Sequence, residues 1–264
     1  MFKKGLIAAS LVLGVLSFAH ADEQTVIKNI KDHEKMAGST VVINHNLTNK
    51  IKEKYPSIDG YIVSVNGANL LSNADGTLVF QLSTAFQTDT MEPLQSFVNY
   101  ELMEEEGNKD WYTVPLPEGV DKKADVYVFT DPTCGYCRKM HSEKALYDML
   151  GIQLHVIPYP SQGLTYDNPG YSKWVDVVCS AEPGQAYHDV IMGKEIAPPT
   201  EGEASSKSKS ECEAEIEKGY RFGREIGLRG TPYIIGYGQS GERMMTPGYV
   251  PINELAKGLG VESK

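Results

Sequence analysis

Polar and apolar residues change period several times along this chain. Thr25 to Ala37 has helical character and stops at Gly38, and Leu47 to Tyr55 predicts a second short helix ended by Pro56. Tyr61 to Val65 then alternates and is β-branched, Asn69 to Ser72 is a shorter run, and Thr77 to Leu82 is a further strand. Asn66-Gly67 and Asn73-Ala74-Asp75-Gly76 are turn signals between these runs, so the stretch predicts a small antiparallel meander. The meander has few large apolar residues and two edges to protect, so pairing with a second chain is expected to complete it. From about Glu92 to Glu105, Leu94, Phe97, Val98 and Leu102 recur on one helical face, and Pro93 suits a first turn. That helix runs into Glu104-Glu105-Glu106-Gly107, where negative charge opposes the helix dipole and predicts fraying. Val114 to Lys123, with its prolines, glycine and charges, predicts a linker with a boundary near Asp121.

Beyond the linker, strand and helix signals alternate. Asp125 to Thr130 reads as a buried strand, Asp131-Pro132-Thr133 as a turn, Cys134 to Leu150 as a helix ended by Gly151, and Ile152 to Pro158 as a second strand. Helical segments follow at about Ser172–Met192 and Glu213–Ile226, separated by a Ser/Lys/Glu-rich stretch, Thr200 to Glu211, that predicts a solvated loop. Tyr233–Gly236 and Glu242–Met245 flank a turn at Gly238–Gly241, and Asn253 to Leu259 is a closing helix. Strand, helix, strand, helical segment, strand, strand, helix is the thioredoxin order with extra helices in the middle. The expected fold class is therefore α+β. Residues 22–88 form a small antiparallel β-meander domain, 89–120 a linker helix and hinge, and 121–264 a thioredoxin-like domain with a helical insertion at about 165–228.

Composition and charge narrow the compartment and the partners. Lys3 and Lys4, the apolar run Gly5 to Phe18 and the small-x-small Ala19-His20-Ala21 read as a secretory signal peptide over residues 1–21, cleaved before Asp22. The apolar run is short for a membrane span of ~20 residues. Losing Lys3 and Lys4 takes the formal net charge from −10 to −12, which offers no electrostatic footprint for nucleic acid. At 41% hydrophobic and 23% charged residues, the full sequence has the composition of an ordinary globular protein.

In an exported chain the four cysteines, Cys134, Cys137, Cys179 and Cys212, point to disulfide chemistry, and the question is which pair is structural. Cys134 and Cys137 lie one helical turn apart at the start of a helix that follows a strand. There Cys134 meets unsatisfied backbone N–H groups and the positive end of the dipole, which favours its thiolate, the nucleophile of thiol–disulfide exchange. Cys134 is thus expected to attack and Cys137 to resolve, with Gly135 and Tyr136 flanking the groove; the Cys134–Cys137 disulfide would serve in place of any cofactor. Three other readings compete. A zinc site would use His141 as a third ligand but lacks a second close Cys/His pair, and haem attachment is excluded by Arg138 following the second cysteine. An inert structural disulfide is the third. No metal site is therefore expected. Thr231-Pro232, a proline opening a late strand, is either a plain turn or a cis-proline loop packed beside the dithiol; in the second case the Thr231 main chain can pair with an extended substrate. Cys179 and Cys212 are expected to form a structural disulfide pinning the inserted helices. His33, His45, His155 and His188 show no ligand spacing, and Trp111, Trp174 and the tyrosines read as core or groove material.

At these residues the sequence resembles the DsbC/DsbG family of bacterial periplasmic disulfide isomerases. The resemblance rests on Phe129-Thr130-Asp131-Pro132-Thr133 running into Cys134-Gly135-Tyr136-Cys137, the stretch from Cys179 through Asp189-Val190-Ile191-Met192-Gly193-Lys194 to Cys212, Gly230-Thr231-Pro232, and Pro247-Gly248-Tyr249. It covers the catalytic half and extends weakly to the meander and linker helix. The resemblance implies a periplasmic thiol–disulfide isomerase or reductase. It also implies a V-shaped homodimer joined through cystatin-like N-terminal domains, and an uncharged cleft for misfolded disulfide-containing proteins. A membrane thiol reductant of the DsbD type would keep the pair reduced. A net dithiol oxidase, a narrow-specificity reductase on the same fold, and a chaperone-like holdase remain as alternatives.

Overall fold

The computed structural model describes residues 22–88, 90–106, 111–196 and 207–261. The expected signal peptide lies outside them, as do residues 200–206 of the expected solvated loop. Helix α1, Glu23–Lys31, is capped by the Asp22 carboxylate, which accepts the Thr25 N–H. It is shorter than the helical character of residues 25–37 predicts. After Asp32 the chain makes only a 3₁₀ turn over Glu34–Met36 before Gly38, whose φ of +85° no helix accommodates. Strand β1, Val41–Ile43, was not expected; its three residues are too few to display an alternation. Helix α2, His45–Lys54, is capped by Asn44. Strands β2, Gly60–Val65, β3, Ala68–Asn73, and β4, Val79–Gln81, complete a wholly antiparallel sheet in the order β1-β2-β3-β4. The β2–β3 turn places both Asn66 and Gly67 at positive φ, the geometry Asn-Gly favours in tight hairpins. β4 starts later than Thr77 because the Asp75 and Asn73 side chains take the amides of Thr77 and Leu78.

The pleat of this sheet divides its few apolar residues between two faces. Val63 and Val65, with Val41 and Ile43, pack on Val26 and Ile30 of α1. Ile62 faces the other way, toward Leu47 and Ile51 of α2. Both faces are thus covered by the chain's own helices.

Helix α3, Leu94–Glu106, joins the two halves. Its Leu94, Val98, Leu102 and Met103 share one buried cluster with Leu47 and Ile62 on one side and with Tyr127, Phe129, Ile157 and Ile235 of the second sheet on the other. The acidic end expected to fray meets cations from elsewhere in the fold. Lys50 Nζ stands 2.6 Å from Glu101 and 2.7 Å from Glu105, and Arg243 reaches Glu104 at 2.9 Å. The segment expected as linker and hinge also contains strand β5, Tyr112–Val114, which pairs antiparallel with β7. Tyr112 and Val114 point inward and Thr113 outward, so burial recruits this short run into the sheet.

The second sheet adds β6, Ala124–Thr130, β7, Ile152–Pro158, β8, Tyr233–Gly238, and β9, Arg243–Pro247, in the order β5-β7-β6-β8-β9, with β6 and β7 parallel. The single helix expected over Cys134–Leu150 is two, α4, Gly135–Ser142, and α5, Lys144–Leu150, broken at Glu143. The segment Ser172–Met192 is likewise α6, Pro169–Val178, and α7, Pro183–Ile191; Pro183 has no N–H to continue a helix but suits the first turn of a new one. Helix α8, Lys209–Glu225, begins inside the expected loop, because Ser208 and Glu211 form a capping box. Helix α9, Ile252–Gly258, closes the fold. One face of the sheet, with Val126, Val128, Leu154 and Ile234, is covered by α4, α6, α7 and α9 through Met140, Trp174, Tyr187 and Leu255. Tyr127, Phe129 and Ile157 on the opposite face meet α3 and Phe222 of α8.

Candidate active site

The loop after β6 is built on Asp131, whose side chain is fully buried. Its Oδ1 accepts the Thr133 N–H at 2.8 Å and the Thr133 hydroxyl at 2.6 Å, and its Oδ2 accepts the Ser161 N–H at 2.8 Å and the Ser161 hydroxyl. One carboxylate therefore ties together the loops that follow the two parallel strands β6 and β7. Gly170 makes room for it, since a Cβ there would stand 2.6 Å from Oδ1. Sequence reasoning saw only a turn at Asp131-Pro132-Thr133. The available signal was an Asp two residues before the amide it binds, the pattern of an Asx turn.

This loop delivers Cys134 as the N-cap of α4, with the Cys137 N–H donating to Cys134 Sγ at 3.4 Å. Cys134 is partly exposed and Cys137 fully buried, and both are free thiols. From the far side of the chain, Thr231 brings its carbonyl to 3.3 Å of Cys134 Sγ, and the Thr231–Pro232 bond is cis. Pro232 is held in turn by Gly248, whose N–H donates to its carbonyl at 2.8 Å. Cys134, Cys137, Thr231 and Pro232 thus meet at one point, while Cys179 and Cys212 bond to each other between the end of α6 and the first turn of α8.

The two thiols of the pair are driven apart electrostatically. Hydrogen bonding to the Cys137 side chain, then the Thr231 side chain and the amides of Cys137 and Tyr136, outweighs partial burial and lowers the Cys134 pKa to about 5. Cys137 is pushed well above the usual thiol range, first by burial and then by its hydrogen bond to Cys134. Beneath it lies a packed polar layer. The Thr130 and Tyr187 hydroxyls are hydrogen-bonded, Trp174 Nε1 donates to the Thr130 carbonyl at 3.2 Å, and the Trp174 and Tyr187 rings stack at 4.7 Å.

Two further residues frame the mouth. Tyr136 is 64% exposed and stacks on Tyr249 with centroids 6.5 Å apart. Tyr249 donates its hydroxyl to Glu143 and carries Lys139 Nζ 4.4 Å above its ring. Nothing approaches within 4 Å of a Cβ built on Gly135, so the path to Cys134 is open on that side. Tyr249 was read only within the Pro247-Gly248-Tyr249 match and, with the other tyrosines, as core or groove material; its place beside Tyr136 is set by the tertiary fold. His141, the third ligand of the zinc reading, is buried against Tyr187 and His188. Burial lowers its pKa to about 3, and among the described residues no cluster of three His, Cys, Asp or Glu could hold a metal.

A family model described as a thioredoxin-like domain matches residues 119–260. The chain belongs to the thioredoxin-like family. Within it, the chain is similar to the thiol:disulfide interchange protein DsbC of Escherichia coli strain K12, at 26% identity over 99% of this chain and 98% of that one. The DsbC of Salmonella typhimurium is 31% identical over 54% of each chain. The chain is thus a DsbC-like thioredoxin-fold protein, and a thiol–disulfide oxidoreductase.

Proposed function

We propose that this chain is a periplasmic disulfide isomerase with reductase capacity, acting on misfolded disulfide-containing proteins. The observation that carries the proposal is the asymmetry of the pair: a partly exposed Cys134 with its pKa near 5 beside a buried Cys137 held as the thiol. The Cys134 thiolate attacks one sulfur of a wrong disulfide, forming a mixed disulfide and releasing the other sulfur as a substrate thiolate. If that thiolate attacks a different substrate disulfide, the bonds are reshuffled and Cys134 is eventually expelled with no net electron transfer. If the mixed disulfide persists, Cys137 loses its proton and attacks Cys134 Sγ. The second substrate thiolate leaves, two electrons have passed to the substrate, and a Cys134–Cys137 disulfide remains. A membrane thiol reductant of the DsbD type then returns the pair to the dithiol. Gly135, Tyr136, Thr231 and Pro232 line the groove, with the Thr231 main chain available to an extended substrate strand.

The N-terminal sheet, residues 22–88, serves as the dimerisation unit in this reading. Its open edge strand β4 exposes Phe80, with Leu78 just before it and Phe86 and Met91 beyond, a set of apolar side chains that a second copy would bury. Residues 1–21 carry the export signal. The test is recovery of activity by a scrambled multi-disulfide protein. The parent restores it and Cys134→Ala abolishes the effect, whereas activity retained in Cys134→Ala refutes the assignment. Alkylation trapping in cells finds the pair reduced; an oxidised pair favours a net oxidase instead.

A further inference from the structure

Residues 227–232 run from the end of α8 to β8 and bring Thr231 to Cys134. Arg229 and Gly230 are exposed, and a Cβ on Gly230 would meet nothing within 4 Å, so the tip of this loop has little packing of its own. Buried Leu228 anchors its start and the Gly248 N–H holds the Pro232 carbonyl at its end; the rest of its position comes from the residues that flank it. Asn99, fully buried on α3, donates from Nδ2 to the Ile226 carbonyl at 3.2 Å and to the Tyr233 hydroxyl at 3.1 Å, while its Oδ1 accepts from Gln95 Nε2 at 2.7 Å. A carboxamide nitrogen has two hydrogens, so both donations can be made at once; Met245 Sδ, 3.6 Å away, is a weaker acceptor. Ile226 immediately precedes the loop and Tyr233 immediately follows it. On β3, Asn69 donates to the Glu225 carbonyl at 3.2 Å. At this end of α8 the carbonyls of Phe222, Gly223 and Arg224 accept the N–H groups of Ile226, Leu228 and Gly227, and those of Glu225 and Ile226 are taken by side-chain amides from the N-terminal sheet and α3.

We propose that Asn99 is a positioning residue for exchange. By gripping Ile226 and Tyr233 it sets where Thr231 stands beside Cys134, and it makes substrate docking at the thiol depend on α3 and the sheet packed against it. The inference rests on Cys134 being the nucleophile. In the loosened loop, Thr231 no longer meets an incoming chain in register, so docking suffers before chemistry does.

The test uses the full chain, with a disulfide-bonded peptide as substrate. Asn99→Leu roughly keeps the volume and removes both donors; Tyr233→Phe removes only the hydroxyl. The Ile226 carbonyl keeps a second donor, Gln95 Nε2 at 3.4 Å, so Asn99→Leu costs the loop about one hydrogen bond; KM rises about 5-fold and kcat stays within about 2-fold. The midpoint of the Cys134 alkylation profile moves to higher pH as the Thr231 side chain, whose hydrogen bond favours the thiolate, draws away. The other titratable groups facing Cys134, Cys137 of α4 and the deeper Tyr187 of α7, are untouched. Tyr233→Phe shifts both quantities in the same direction by less, at an unchanged melting temperature. A purely structural Asn99 would lower the melting temperature and move neither KM nor the midpoint, and that result in folded Asn99→Leu overturns the inference. If Asn99→Leu fails to fold, parental KM and alkylation profile in Tyr233→Phe overturn it alone. Exchange surviving in Cys134→Ala would bring down the reading of the site itself. Exchange lost there, with both Asn99→Leu and Tyr233→Phe parental, brings down only the role of Asn99.

Discussion

The two cysteine pairs put the same side chain in opposite surroundings. Cys134 and Cys137 are three residues apart at a helix start, one partly exposed and the other buried, and both are free thiols. Cys179 and Cys212 are separated by 33 positions, are both buried, and are bonded across two helices with Cα atoms 5.6 Å apart. A thiol becomes reactive where backbone amides and a solvent path converge on it, and inert where helices seal it. The difference lies in burial and in the free N–H groups of a first turn, not in the cysteines.

The sharpest way to break this contrast is alkylation of the native protein with iodoacetamide after mild reduction. Cys134 is modified at least ~100-fold faster than Cys137 at pH 6, because it is mostly thiolate there and Cys137 is not. The rate rises with pH through a midpoint near 5, the direction expected of a thiol whose pKa is lowered, and peptide mapping identifies the site. Equal labelling of the two, or a midpoint above 8, removes the asymmetry on which the proposed chemistry depends. Next in size, the double substitution Cys179→Ala/Cys212→Ala is expected to cost ~3–4 kcal/mol, from the entropy of closing a loop of this length. Chemical denaturation measures it. Exchange by the remaining folded protein should stay within about 2-fold of the parent, and a larger drop would mean that the structural pair also tunes the reactive one.

Helix α6 touches both regions, with Gly170 in its first turn against Asp131 and Cys179 at its end. Gly170→Ala sharpens the comparison. The new methyl meets a buried carboxylate that is fixed by four hydrogen bonds and cannot swing away, so the cost should be about 1–3 kcal/mol. Unlike loss of the 179–212 bond, this change should also slow Cys134 alkylation, because the loop presenting that thiol shifts. Unchanged stability and alkylation would show that Asp131 is not the fixed point described above.

Much of this organisation is readable locally. β7 falls on the run Ile152–Pro158, the Asn66-Gly67 turn sets the β2–β3 hairpin, and the thioredoxin order of elements follows from alternating periods. Helix breaks were harder to see. At Glu143 the apolar periodicity carries on and only backbone geometry shows that the helix does not; around Pro183 the proline was a local signal, outweighed by the periodicity that continues past it. The Ser208–Glu211 capping box was a local signal hidden by its charged surroundings.

What the amino-acid order determined by itself is whatever neighbours a few residues apart can impose: strand period, turn chemistry, and two cysteines one turn apart where a helix begins. Tertiary structure alone decided that β5 joins the second sheet, that α3 is a wall shared by both sheets, and that Thr231 reaches Cys134 across 97 positions. No local period encodes such contacts. They arise when buried faces must be covered and orphaned carbonyls must find donors, and those demands are met only once the whole chain has packed.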